Sequence, residues 1–159
     1  SIPLEKIIVR LTSVFGPLRT GQPRGLIPTL IDHGLRQRVS HVYGKMTTLR
    51  DFLWINDVTP FLVELLRQET FVPDTKPLIL ASGKPSSILE IQKWVERTIG
   101  RKLYVAFSPV ATNSQDITFS PAVLPPGWRT SDLAVAIRNI YADALNRGMI
   151  FSESPQVSH

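Results

Sequence analysis

An α/β domain is what the sequence predicts, and one whose strands need more sheet than the chain itself supplies. Three observations carry this. Short β-rich runs alternate with helical periodicities along the 159 residues. The segment Pro77-Leu78-Ile79-Leu80-Ala81-Ser82 is continuously apolar until its last residue, as in a strand covered on both faces. Ser87 with Glu90 three residues later forms a capping box that opens a helix, and Gly100 closes it.

Taken in order, Lys6 to Ser13 reads as one buried strand ended by the turn-forming Gly16-Pro17. A Gly-, Pro- and Arg-rich loop runs through Arg24. Leu26, Ile27, Leu30, Ile31 and Leu35 then recur at helical spacing, with Pro28 tolerable in the first turn and Gly34 weakening the far end. His41 to Tyr43 and Leu49 to Ile55 read as two strands that form an irregular hairpin across Lys45 to Thr48. Asp57 is placed to cap a helix from Val58 to Arg67, with Phe61, Leu62, Leu65 and Leu66 on its apolar face. Pro77 to Ser82 follows as a strand ended by Gly83. The helix Ile88 to Ile99 carries the stripe Ile88, Ile91, Trp94, Val95 and Ile99. Leu103 to Phe107 is a strand and Ser108 to Pro126 a proline-containing loop. Ser131 is placed to cap a last helix through Asn146, with Leu133, Ile137, Ile140, Tyr141 and Leu145 inward. The whole reads as one domain, 1–148, with a disordered tail, 149–159.

Composition narrows the function. A hydrophobic content of 43% supports a real core. No run of 18 or more apolar residues and no basic-then-apolar leader pattern is present, so a cytoplasmic location is expected. With no cysteine, and with His33, His41 and His159 lacking paired ligand spacing, no metal site is expected. His33 and His41 read as a helix-end and a strand residue rather than as general bases. A net charge of +5 favours anionic partners, but the arginines are spread along the sequence, which argues against a nucleic-acid surface. No Gly-rich phosphate loop and no internal repeat occurs.

The most informative run is Leu49-Arg50-Asp51-Phe52-Leu53-Trp54-Ile55-Asn56-Asp57-Val58. It sets a permanently charged guanidinium at the mouth of a strand-like segment, an anion-binding position. The alternative for Arg50 is a surface ion pair with Asp51, which is common and weak.

Several stretches, this run among them, resemble, in order and interval, the C-terminal part of the extended short-chain dehydrogenase/reductases, the NAD-dependent sugar-nucleotide epimerases and dehydratases. Arg10-Leu11-Thr12-Ser13-Val14-Phe15-Gly16-Pro17 resembles the family's R-x-x-N-V-Y-G-P, and Gly25-Leu26-Ile27-Pro28 its following helix start. Val42-Tyr43-Gly44 with the Arg50 to Val58 run is similar to Y-G-x-G…R-D-F-x-Y-V-x-D-V. Ala81-Ser82-Gly83 with Ser87 to Ile91 is similar to G-S-G…S-x-x-E-L, and Pro126 to Leu133 resembles L-G-W-x-P-x-x-S-L-x-E. Coverage runs from about Ile7 to Leu145.

The resemblance implies a fold, the substrate-binding part of such an enzyme, with strands that would complete a Rossmann-type sheet. It also implies roles. Arg50 would pair with the diphosphate of a nucleotide-sugar. Leu26 and Ile27 would approach the base through backbone groups at a helix start, and Ser40 to Tyr43, with Phe52, would flank base and ribose. Ser13 would stand near the substrate, and Phe15, Gly16 and Pro17 near the nicotinamide of NAD or NADP. That cofactor would be bound mainly by an N-terminal Rossmann half missing from this sequence, which makes that half an implied partner, with homo-oligomerisation also open.

The chain departs from the family pattern in three places and lacks two parts. Ser13 replaces the usual asparagine, Ser108 to Asp116 lacks the second phosphate-binding arginine, and the interval from Asp116 to Trp128 is short. Asn113 and Arg129 are the available substitutes for that arginine. The Gly-rich dinucleotide loop and the catalytic Tyr-x-x-x-Lys are absent, because none of Tyr43, Tyr104 and Tyr141 is followed four residues on by lysine. No catalytic residue is therefore assigned. Three functions compete: the nucleotide-sugar-binding part of an isomerase or oxidoreductase of this family, inactive alone; a non-catalytic binding or scaffold module of the same fold; and a basic nucleic-acid-binding domain.

Overall fold

The computed structural model describes residues 7–19, 25–67, 76–108 and 115–149. Eight short strands and four helices follow in the order β1 (Val9–Leu11), β2 (Ser13–Phe15), α1 (Leu26–Leu35), β3 (Val39–Tyr43), β4 (Leu49–Arg50), β5 (Phe52–Trp54), α2 (Ile55–Arg67), β6 (Leu78–Leu80), β7 (Ser86–Ser87), α3 (Ile88–Ile99), β8 (Tyr104–Ser108) and α4 (Leu133–Asn146), with a 3-10 turn at Pro121–Val123. The strands form four separate pairs. β1 with β6, β2 with β5 and β3 with β8 are parallel, and β4 with β7 is antiparallel. The fold is α/β with parallel strands, as the sequence predicts.

Two expected strands are each cut in two. The run through Ser13 breaks at Thr12, where the Val14 N–H bonds back to the Thr12 carbonyl at 2.8 Å and kinks the chain. The run through Ile55 breaks at Asp51 and passes straight into α2. The expected hairpin across Lys45 to Thr48 does not form: β3 pairs with β8, Val39 beside Tyr104, and β4 pairs with β7. The turn 45–48 instead sits on the start of α3, with Leu89 N–H donating to the Met46 carbonyl at 3.1 Å and Ile88 N–H to that of Thr48 at 3.3 Å.

The main core joins the inward faces of α1, α3 and α4 to β2, β3 and β5, with Ile27, Ile31, Ile91, Val95 and Ile137 wholly covered. Gly34 allows α1 and α3 to approach, for a Cβ there would lie 2.3 Å from Leu103 Cδ2 and 2.6 Å from Ile99 Cδ1. The glycine thus has a packing reason and is not merely a weak point in the helix. A second cluster of Leu53, Val58 and Leu80 lies across the other face, closed by Phe61, Leu62 and Trp128. Trp128 stacks edge-on against Phe61 at 4.9 Å and donates its indole N–H to the Ala81 carbonyl at 2.7 Å. Leu66, expected inward, is 79% exposed.

The capping box of α3 is formed as expected. Glu90 N–H donates to Ser87 Oγ at 3.2 Å and Ser87 N–H to Glu90 Oε2 at 2.8 Å, and Gly100 takes a left-handed φ of 69°. The other two expected caps are corrected. α2 starts three residues before Val58, and Asp57 serves elsewhere, accepting from Ser131 N–H at 2.9 Å and Ser131 Oγ at 2.7 Å. Ser131 is thereby occupied, and Asp132 caps α4 through Val135 N–H at 3.1 Å. The small residues Ala136 and Ala144 share the inward face of α4 with Ile137 and Ile140. Of the tail expected to be disordered, 149–159, Met149 is ordered against the main core, its N–H donating to the Ala144 carbonyl at 3.1 Å, and residues 150–159 lie outside the described residues. No described helix is long and apolar enough to cross a membrane.

Candidate functional site

Parallel pairing of β2 with β5 sets Ser13 beside Phe52 and Phe15 beside Trp54. Side chains two apart on a strand share a face, so Ser13, Phe15, Phe52 and Trp54 lie on one side of this pair. That side faces the main core, and Phe15 and Phe52 are buried members of it. With Trp54 and Trp94 they wall a cleft of about 90 Å³, rimmed by Ser82 and Lys84. This is well short of the roughly 300–1,000 Å³ of a typical ligand pocket, so the cleft by itself does not enclose a nucleotide-sugar. The Trp54 indole nitrogen is buried there with no hydrogen-bond partner among the described residues.

Arg50 ends β4 and is half-buried. Its guanidinium donates to the Gln115 carbonyl and, at 3.3 Å, to that of Leu49. The segment 115–117 grips the same strand: Leu49 N–H donates to Asp116 Oδ1 at 2.8 Å, Ile117 N–H to the Leu49 carbonyl at 2.9 Å and Asp51 N–H to the Ile117 carbonyl at 3.0 Å. The surface pair weighed for Asp51 does not exist as such, because Asp51 is wholly buried. Its carboxylate accepts from Ser82 N–H at 2.7 Å and Gly83 N–H at 2.8 Å, and from the Thr12 hydroxyl at 3.3 Å. Sequence reasoning weighed Asp51 only as a surface partner of Arg50, although a carboxylate running directly into the apolar Phe52-Leu53-Trp54, with Thr12 and Ser82 in two other strand runs, is a readable signal of burial.

At α1 the N-cap Gly25, φ 87°, makes no side-chain cap, and Pro28 has no N–H to offer. The first-turn N–H donors are therefore those of Leu26 and Ile27. The Ile27 side chain is wholly buried, so only its backbone can meet a ligand. Tyr43 closes β3 with 61% of its surface exposed, on the separate β3/β8 pair. His33 Nδ1 shares a hydrogen bond with Ser40 Oγ at 3.1 Å, which gives both a structural use. Gly16 lies against Ile55, whose Cγ2 is 3.2 Å from where a Cβ would be. Of the residues expected near the cofactor, Phe15 is turned into the core and Gly16 and Pro17 offer backbone. Of the substitutes named for the second arginine, Asn113 lies outside the described residues and Arg129 is exposed. No group of His, Asp and Glu suited to a metal occurs among the described residues.

Parallel strand pairs packed against helices give the chain an α/β, Rossmann-like fold. Residues 3–76 match the model of the NAD dependent epimerase/dehydratase family. Solved structures agree in fold. The chain is similar to UDP-glucuronic acid 4-epimerase from Bacillus cereus in complex with UDP-glucuronic acid and NAD, with TM-score 0.72 and 21% identity over 89% of this chain and 45% of that one. It is similar to UDP-glucose 4-epimerase from Thermotoga maritima with UDP-glucose, with TM-score 0.69 and 16% identity over 90% and 46%. It is also similar to a GDP-L-fucose synthetase from Naegleria fowleri bound to NADP, with TM-score 0.67 and 18% identity over 90% and 46%. No curated protein sequence matches. The resemblance to the NAD-dependent sugar-nucleotide epimerases and dehydratases is thus met by sequence over residues 3–76 and by fold over nearly all the chain. The chain spans somewhat under half the length of these structures.

Proposed function

We propose that residues 1–148 are the substrate-binding part of an NAD-dependent sugar-nucleotide epimerase or dehydratase, and that the chain binds a nucleoside diphosphate linked to a sugar. The observation that carries this is the fold match, over nearly the whole chain, to enzymes solved with UDP-sugars, one of them also with NAD, joined to the family match over residues 3–76. Arg50 is the diphosphate contact, since a planar guanidinium at a strand end can grip two oxygens at once. The Leu26 and Ile27 amides meet the base, and Tyr43, largely exposed, packs against base or ribose. Ser13 and Phe52 close the inner side, Phe52 by shaping the wall rather than by open contact.

NAD, when bound in such an enzyme, supplies the hydride acceptor. This chain contributes only the backbone of Phe15, Gly16 and Pro17 toward it, because it encodes no dinucleotide loop. The proton-transferring tyrosine is likewise not encoded, so the chain alone is expected to bind without turning over. The small cleft fits this reading, for the sugar pocket then needs walls from a second half.

Titration of the chain with UDP, dTDP and GDP, followed by amide chemical shifts, tests the proposal. Shifts confined to Leu26, Ile27, Tyr43 and the Arg50 region support it. No saturable shift with any of the three refutes it. A scaffold module of the same fold would bind none of them, and a nucleic-acid domain would prefer an oligonucleotide.

A further inference from the structure

Three strand runs change partner at one place. The first passes from the β1/β6 pair to the β2/β5 pair at Thr12, the second from β4 to β5 at Asp51, and the third from β6 toward β7 at Ala81-Ser82-Gly83. All three crossings meet the Asp51 carboxylate. Its oxygens take the Ser82 and Gly83 amides, and the one Thr12 hydroxyl proton is shared between the Asp51 carbonyl at 2.9 Å and the carboxylate at 3.3 Å. Ser13 N–H reaches that carbonyl at 3.3 Å, and Thr12 N–H bonds to the Leu80 carbonyl at 3.2 Å.

A wholly buried carboxylate is costly unless its oxygens are satisfied, and here two amides and a hydroxyl satisfy them. The same bonds tie the ends of β1 and β6 to the break between β4 and β5, the strands that carry the candidate site. We infer that Asp51 is the positioning residue of that site: it holds Arg50, its chain neighbour, and Ser13, the neighbour of its partner Thr12, in register with each other. Asp51 does not touch the ligand. The inference rests on the proposed nucleotide-sugar reading for its consequence, but its structural content is independent of it.

Asp51→Asn is the variant of choice. The amide keeps one oxygen for one backbone donor and turns an –NH2 against another, so the pin loosens without a cavity. In the ligand-free protein, the Arg50 Nε resonance and the Ser13 and Gln115 amides are expected to move together with those of Ser82 and Gly83. Affinity for a UDP-sugar is expected to fall about tenfold or more, in line with disturbing a charge-assisted contact, whereas uridine, which has no diphosphate, should bind within about twofold of wild type. The loss should not add to that of Arg50→Ala, because both act through one guanidinium. A merely structural role would weaken uridine equally or add to Arg50→Ala, and either result overturns the inference.

Should Asp51→Asn fail to fold, Thr12→Val removes the bridging hydroxyl at nearly constant shape, and the same resonances should move by less in the same direction. Unchanged Arg50 and Ser13 resonances in the folded variant overturn the inference whether or not any nucleotide binds. Failure of wild type to bind UDP-sugars overturns the functional reading instead, and leaves the ligand-free resonances to decide the role of Asp51.

Discussion

Replacing Arg50 by alanine separates a binding role from a structural one, because the structure gives each a size. The contacts of the guanidinium include hydrogen bonds to the Gln115 and Leu49 carbonyls. Such bonds from a charged group are worth about 1.5–3 kcal/mol each when buried. This side chain is half-exposed and one bond, at 3.3 Å, reaches the carbonyl of its own preceding residue. Solvent screening and that long contact reduce the sum to about 1–2 kcal/mol. Thermal unfolding should therefore drop by about 2–8 °C. Loss of a diphosphate contact is larger, about 2–4 kcal/mol, or roughly 30- to 1,000-fold in affinity. Arg50→Lys should recover only part of it, since an ammonium cannot reproduce the planar fork. Calorimetric titration with a UDP-sugar, beside a melting curve on the same sample, reads both. A folded Arg50→Ala that binds within twofold of wild type would refute the assignment and leave Arg50 as a clamp on segment 115–117.

Other consequences are testable on the same chain. Ser87→Ala should cost about 1 kcal/mol by removing the α3 cap, seen as a lower melting temperature. Glu90 is held below its ordinary 4.5, first by the Ser87 backbone N–H and then by the Ser87 hydroxyl. A depressed carboxylate contributes stability above its unfolded value that is lost as pH falls through its folded one. The gap between wild type and Glu90→Gln should thus close below pH 4.5, and a gap that widens there contradicts the assignment. Gly34→Val should destabilise in denaturant unfolding, since overfilling the contact with Leu103 and Ile99, at about 1–3 kcal/mol, outweighs the few tenths of a kcal/mol gained in helix propensity over glycine. The apolar side chains Ile8, Leu11, Val14 and Leu66, all more than a third exposed, should drive self-association. Light scattering that shows a monomer across a wide concentration range would contradict that, while Leu66→Lys should reduce any association seen.

What the sequence revealed was local chemistry. Ser87, Glu90 and Gly100 mark α3 because a capping box and a left-handed stop act within one helix turn. The α1 span and the Ile91, Val95 and Ile99 stripe follow from period alone. Pairing was not legible, because β3 meets β8 some sixty residues away, and proximity along the chain wrongly favoured a hairpin. The two strand breaks were hidden for a related reason: at Thr12 and Asp51 the side-chain pattern continues while the hydrogen-bond partners change. Asp57 and Ser131 looked like caps and instead bond to each other, a long-range use that capping statistics cannot foresee. At the site, residue types were readable and orientation was not. Phe15 and Phe52 occur where aromatic site residues were expected, yet both point into the core.

The most direct measurement is a paired calorimetric titration of the unmodified chain with nucleoside-diphosphate sugars and with NAD. The account predicts saturable binding of at least one UDP-, dTDP- or GDP-linked sugar and none of NAD in the low-micromolar range, about −8 kcal/mol. Tight NAD binding, or no binding of any nucleotide-sugar, would contradict it.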